Sequence, residues 1–190
     1  MNLPNFLTIV RMALVPVFIF FFYLGHGGAH VFYALAFVVF AVASGTDAVD
    51  GYIARKYNLI TNFGKLMDPL ADKVLTTAAF IVLVDVNVVP AWVVIVILAR
   101  EFIITGLRGV AASEGVVIPA GLSGKLKTIF QIAAIGVILL SIVVGEGSSL
   151  FGLWYFITIV GFVLLYVAVL FTVYSGVEYL WAGRKFLNMK

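Results

Sequence analysis

The sequence predicts an all-α membrane protein with six spanning helices and both termini in the cytoplasm. Three observations carry that prediction. Of the 190 residues, 64% are apolar and 11% are charged, against roughly half and a quarter in soluble chains. The apolar residues come in runs long enough for spanning helices, which need about 20 residues, rather than for barrel strands, which need about 10. The twelve Lys and Arg residues fall at the termini and at every other connection between these runs, all on one side, as the positive-inside bias requires.

The first helix is expected over residues 6–24, ending at Gly25-His26-Gly27-Gly28. It has no small-residue cleavage site, so it reads as a retained span rather than a signal peptide. The second is expected over 30–57, longer than a bilayer needs, so its end should protrude into water. The third is expected over 69–86, with Asp68 as its N-cap and Pro69 in its first turn. Pro90 opens the fourth, over 90–112. The fifth is expected over 122–144 and the sixth over 150–181. Residues 1–190 then form one membrane domain, with no linker or internal repeat.

The cations set the orientation. They are Arg11, Arg55, Lys56, Lys65, Lys73, Arg100, Arg108, Lys125, Lys127, Arg184, Lys185 and Lys190. None lies in the connections at 25–30, 86–90 or 145–149. The termini and the connections near 56–73 and 108–127 are therefore assigned to the cytoplasm. With no cysteine in the chain, disulfides and thiolate metal sites are excluded. Nothing in the chain points to a nucleic acid partner.

Four of the nine acidic residues cluster on that cytoplasmic side: Asp47 and Asp50, then Asp68 and Asp72. The spacings are three and four, so on helices each pair shares a face. Helix two ends with the first pair and helix three begins with the second, so four carboxylates converge. Left alone they would repel and take up protons. Hard oxygen donors suit Mg²⁺, Mn²⁺ or Ca²⁺ rather than zinc, with charge enough for two ions, and a two-ion site suits displacement at phosphorus. Gly51 and Ala54 leave helix two without bulk beside the carboxylates, and Arg55 could meet a phosphate. The alternative is that the aspartates cap helices and pair with Arg55, Lys65 and Lys73, although capping does not call for four of them.

The spacing Asp47-x2-Asp50-Gly51-x2-Ala54-Arg55-x8-Gly64-x3-Asp68-x3-Asp72 resembles the signature of the CDP-alcohol phosphatidyltransferases. All eight specified positions are filled. The resemblance implies a six-span fold covering the whole chain and no separate nucleotide domain. It implies that Asp47, Asp50, Asp68 and Asp72 hold two Mg²⁺ or Mn²⁺ ions, with Asp72 also the general base. Gly51, Ala54, Arg55 and Gly64 would line the CDP pocket. A homodimer in the bacterial inner membrane, with its site facing the cytoplasm, is likewise implied.

A second polar patch lies on helix four, in Arg100-Glu101-Phe102-Ile103-Ile104-Thr105-Gly106-Leu107-Arg108. Charges inside a span are functional or paired by default. Arg100 and Arg108 are about 80° apart around an ideal helix. Lys125 and Lys127 follow at the start of helix five. Together these four suit a second phosphate, with arginine giving bidentate contacts. The alternative is that Glu101 pairs with Arg100 or Arg108 and that the lysines are ordinary positive-inside residues.

Such a patch favours a phosphorylated acceptor alcohol. The segments Asn2–Arg11, Arg100–Arg108 and Gly124–Thr128 further resemble family members whose acceptor is glycerol 3-phosphate. CDP-diacylglycerol and glycerol 3-phosphate are then the expected substrates, and phosphatidylglycerol phosphate and CMP the expected products. Acceptors of inositol phosphate or phosphatidylglycerol type are the rivals within the family. A divalent-cation transporter is the rival outside it, but that would place carboxylates near the midplane.

Thr8 and Arg11 are three apart on one face and could touch the pyrophosphate or a lipid headgroup. Alternatively they form a polar helix start with a snorkelling arginine. His26 and His30 read as solvated. Tyr174, Tyr179 and Trp181 fit an interfacial aromatic belt, and Glu178 could pair with Arg184.

Overall fold

A computed structural model describes residues 3–56, 62–113, 121–145 and 149–187, with side chains described at 6–46, 70, 71, 73–113, 121–145 and 149–181. Six helices follow one another: α1 (Leu3–His26), α2 (Val31–Lys56), α3 (Asn62–Asp85), α4 (Ala91–Ser113), α5 (Leu122–Val144) and α6 (Phe151–Leu187). Among the described residues there is no strand. The all-α expectation therefore holds.

Boundaries agree most closely where an apolar run meets a breaker. α5 ends at Gly145, whose φ of 75° ends the helix and whose N–H reaches the Ser141 carbonyl at 3.0 Å. α3 ends at a turn in which Asn87 takes φ 59° and the Val88 N–H bonds the Leu83 carbonyl at 2.9 Å. The start of α3 corrects the sequence reading. The helix begins at Asn62, so Asp68 is not its N-cap and Pro69 lies inside it. Proline removes only one intrahelical donor, and the long apolar continuation of α3 absorbs that loss. α6 likewise runs past residue 181 to Leu187, because a helix need not stop where its apolar run does.

α1 packs on α2 and α3, α5 on α6, and α4 on α6 and α3, while α2 and α3 each touch α5. The core runs through this assembly from Phe18, Phe22 and Phe40 to Leu75, Phe80 and Leu83, then to Ile97, Ile135, Ile138 and Leu165. Aromatic rings hold its α1–α2 part. Phe18 stands 6.0 Å from Phe40 and Phe22 5.4 Å from Tyr33, centre to centre, distances at which tilted and edge contacts are favourable.

Large apolar side chains also cover the outside, among them Phe20, Ile81, Ile95, Phe102 and Leu170. In water so much exposed apolar surface would drive association, whereas hydrocarbon is its natural solvent. α1, α5 and α6 are long and apolar enough to cross a membrane, over Phe6–His26, Leu122–Val144 and Phe151–Trp181. The apolar part of α2, Val31–Thr46, is shorter, and α4 is interrupted by Arg100, Glu101 and Arg108. The chain is a helical membrane protein.

Candidate functional site: an acidic helix pair and a cationic cavity

α2 is helical through Asp47, Asp50, Gly51, Ala54 and Arg55, and α3 through Gly64, Asp68 and Asp72. The three- and four-residue spacings of the aspartates are thus helical spacings, on two helices that touch. The side chains of these eight residues lie outside the described residues. The donor set is carboxylate throughout, which fits a hard divalent cation. Among the described residues no group of three His, Cys, Asp or Glu side chains gathers to hold a metal.

The described side chains build a second feature, a cavity of about 520 Å³ between α3, α4, α5 and α6. Lys73 of α3, Arg100, Thr105 and Arg108 of α4, Lys127 of α5 and Tyr179 of α6 lie on its wall. Glu101 sits among the cations. It accepts from Lys127 Nζ and from Arg100 Nη1, the latter at 3.3 Å, and Lys73 Nζ lies 3.9 Å away. Lys73 also donates to Thr105 Oγ1 at 2.5 Å.

Among the described wall residues, four cations face one carboxylate. Lys127 is 3% exposed, so its ammonium has lost most of its hydration, and an unpaired ion there would cost several kcal/mol, of order 3–5. Glu101 offsets that cost, and among the described wall residues cations still outnumber carboxylates. A doubly charged phosphate is the kind of ligand that would balance them.

Three of the four expected phosphate-binding residues meet here: Arg100, Arg108 and Lys127. The fourth, Lys125, is exposed and lies off the wall. Two residues along a helix are about 200° apart, so Lys125 and Lys127 cannot serve one cavity from α5. The Arg100–Glu101 pair named as the alternative also forms, and it forms inside the cavity rather than in place of it.

Thr8 and Arg11 lie on α1, away from this wall. Both are buried, Arg11 to 1% exposure, and both have interaction partners. The snorkelling reading of Arg11 is therefore corrected: its guanidinium is enclosed by the helices rather than drawn out to the interface.

Three contributors were missed. Lys73 reads in the sequence as one more positive-inside lysine, although its place one residue after Asp72 is a usable signal. Ser175 accepts from Arg100 Nη2 at 3.0 Å, and nothing in the local sequence marks it. Tyr179 was assigned to an interfacial belt with Tyr174 and Trp181. Those two are exposed, but Tyr179 is buried, its ring 5.7 Å from the Arg100 guanidinium carbon and its hydroxyl accepting from the Gly121 N–H at 3.1 Å. Glu178 accepts from Ser123 at 2.5 Å; the side chain of Arg184, its expected partner, lies outside the described residues.

Comparison with known proteins bears on both features. Residues 1–174 match the family model described as CDP-alcohol phosphatidyltransferase. A CDP-diacylglycerol–glycerol-3-phosphate 3-phosphatidyltransferase of Bacillus subtilis is 43% identical, over 98% of this chain and 99% of its own. A protein of the same name from Rickettsia bellii is 41% identical, over 97% of each chain. With the signature aspartates on two touching helices and the match extending over nearly the whole sequence, the chain belongs to the CDP-alcohol phosphatidyltransferase family.

Proposed function

We propose that the protein transfers the phosphatidyl group of CDP-diacylglycerol to glycerol 3-phosphate, giving phosphatidylglycerol phosphate and CMP. The observation that carries the acceptor is the cavity in which, among the described residues, Lys73, Arg100, Arg108 and Lys127 stand around one carboxylate, Glu101. An acceptor without a phosphate, such as phosphatidylglycerol, would leave that charge unmatched. The names of the near full-length relatives support the same acceptor.

In this reading all six helices span the bacterial inner membrane, with both termini and both polar features at its cytoplasmic face. The distribution of the twelve cations supports that topology. Asp47, Asp50, Asp68 and Asp72 would hold two Mg²⁺ or Mn²⁺ ions, whose charge would neutralise the pyrophosphate and the departing CMP. Gly51, Ala54, Arg55 and Gly64 border the cytidine diphosphate. The acyl chains stay in lipid, and the acceptor enters the cationic cavity from the cytosol. Asp72 takes the proton from the acceptor's primary hydroxyl, whose oxygen attacks the β-phosphorus as the bond to CMP breaks. Holding both substrates in line supplies a large part of the rate, about 7–11 kcal/mol at best. The active unit is a homodimer.

CMP release from CDP-diacylglycerol, measured with and without divalent metal against a panel of acceptors, tests the reading. Metal-dependent release stimulated by glycerol 3-phosphate is expected. Preference for inositol phosphate or phosphatidylglycerol would move the chain elsewhere in the family. Divalent-cation flux without CMP release would replace the enzyme with a transporter.

A further inference from the structure

The stretch shared with the family model ends at residue 174, yet the cavity does not. Just beyond that point, α6 presents Ser175, Gly176 and Tyr179, and all three meet Arg100. Ser175 Oγ, on a fully buried residue, accepts from Nη2 at 3.0 Å. The Tyr179 ring lies 5.7 Å from the guanidinium carbon. A Cβ at Gly176 would stand 3.3 Å from Arg100 Cγ, so the absence of a side chain there lets the arginine stem lie close against α6. Glu101 takes the remaining side, at 3.3 Å from Nη1.

These contacts use two of the five N–H groups of Arg100. Nε is buried and has no partner among the described residues. A guanidinium anchored on a ring, a hydroxyl and a carboxylate cannot turn freely to satisfy it. The last turns of α6 are themselves tied to the start of α5, through Tyr179 to the Gly121 N–H at 3.1 Å and through Glu178 to Ser123 at 2.5 Å.

We infer that Ser175 and Tyr179 are positioning residues that hold Arg100 in the orientation that receives the acceptor's phosphate. The part of α6 beyond the shared family stretch thereby sets the affinity for the acceptor. This rests on the reading of the cavity as the acceptor's site. A phosphate in the cavity would meet the remaining N–H groups on the two terminal nitrogens of Arg100, a fixed, two-point partner. A freely rotating arginine would first have to be ordered.

The test is steady-state kinetics of the full chain in detergent–lipid micelles, with the KM of each substrate measured separately. Tyr179→Leu removes the ring beneath Arg100 and is expected to raise the KM for glycerol 3-phosphate about tenfold. The KM for CDP-diacylglycerol stays put, and Tyr179→Phe recovers most of the affinity. Ser175→Ala, a change small enough to preserve the fold, raises the same KM about fivefold. On an Arg100→Ala background, Tyr179→Leu adds less than about twofold, because the residue it positions is gone.

The inference is overturned if Arg100→Ala raises the acceptor KM while Ser175→Ala and Tyr179→Leu leave it at wild type. It is equally overturned if the α6 variants raise both substrates' KM together, or if Tyr179→Leu acts with full strength without Arg100. An Arg100→Ala enzyme with an unchanged acceptor KM has a different meaning: the cavity itself would not be the acceptor's site.

Discussion

The α1–α2 pair and the α4–α6 group use the same apolar alphabet for different ends. Where α1 meets α2, Phe18, Phe22, Tyr33 and Phe40 fill the contact with rings. Where α4 meets α6, Arg100 lies between a hydroxyl, a ring and a carboxylate, with a cavity beside it. The first region gains stability from close packing. The second gives some of that up: among the described residues, Glu101 is the one carboxylate beside four cations, of which Lys127 is buried. The contrast separates a region built for packing from one lined by charges, the region that the proposed function assigns to the acceptor.

The comparison can be broken at several points. The largest effect belongs to the acidic helix pair. Asp72→Asn should lower kcat about a thousandfold, the scale of a lost general base, while leaving thermal unfolding near wild type. Near-normal turnover in that variant would remove the base assignment.

In the aromatic region, Phe40→Ala should cost about 3–5 kcal/mol of stability, as other buried aromatic truncations do, read as a lower unfolding temperature in detergent. The KM for glycerol 3-phosphate should not move; if it does, the two regions are not separate. In the cavity, Glu101→Gln should reverse that pattern. It leaves Lys127 with a weaker partner and should cost about 1–3 kcal/mol while also changing the acceptor KM.

A smaller loss is expected at the α5–α6 contact, where a Cβ on Gly161 would stand 2.8 Å from Ile138 Cγ1. Gly161→Ala should destabilise by about 1–3 kcal/mol, again with both KM values unchanged. The smallest effect should come from Lys125→Ala. Because Lys125 lies off the cavity wall, the acceptor KM should change by less than about twofold, against a clear rise for Lys127→Ala.

Helix number and most boundaries were legible because long apolar runs meet glycine or proline, and those signals are local. The exceptions are polar helix ends. The first two turns of α3, from Asn62 to Pro69, carry no apolar run, and proline there reads as a start. The end of α6 carries Arg184 and Lys185, which read as an exit from the membrane. The signature aspartates were legible for the same local reason, since their meaning lies in a fixed spacing.

The cationic cavity was legible only in part. Arg100 and Arg108 stand out as charges in an apolar helix. Lys125 and Lys127 look alike until helical phase separates them. Ser175 and Tyr179 gain meaning only from an arginine some 75 residues earlier in the chain.

By itself the sequence determined the class, the helix order and the family signature. Each of these follows from hydrophobicity, from spacing along one helix or from the high cost of charge in hydrocarbon. Only the tertiary structure decided that Glu101 is shared by three cations, that Arg11 is enclosed, and that α6 closes the cavity. Those facts depend on which helix faces which, and on rotations about helix axes that distant packing sets.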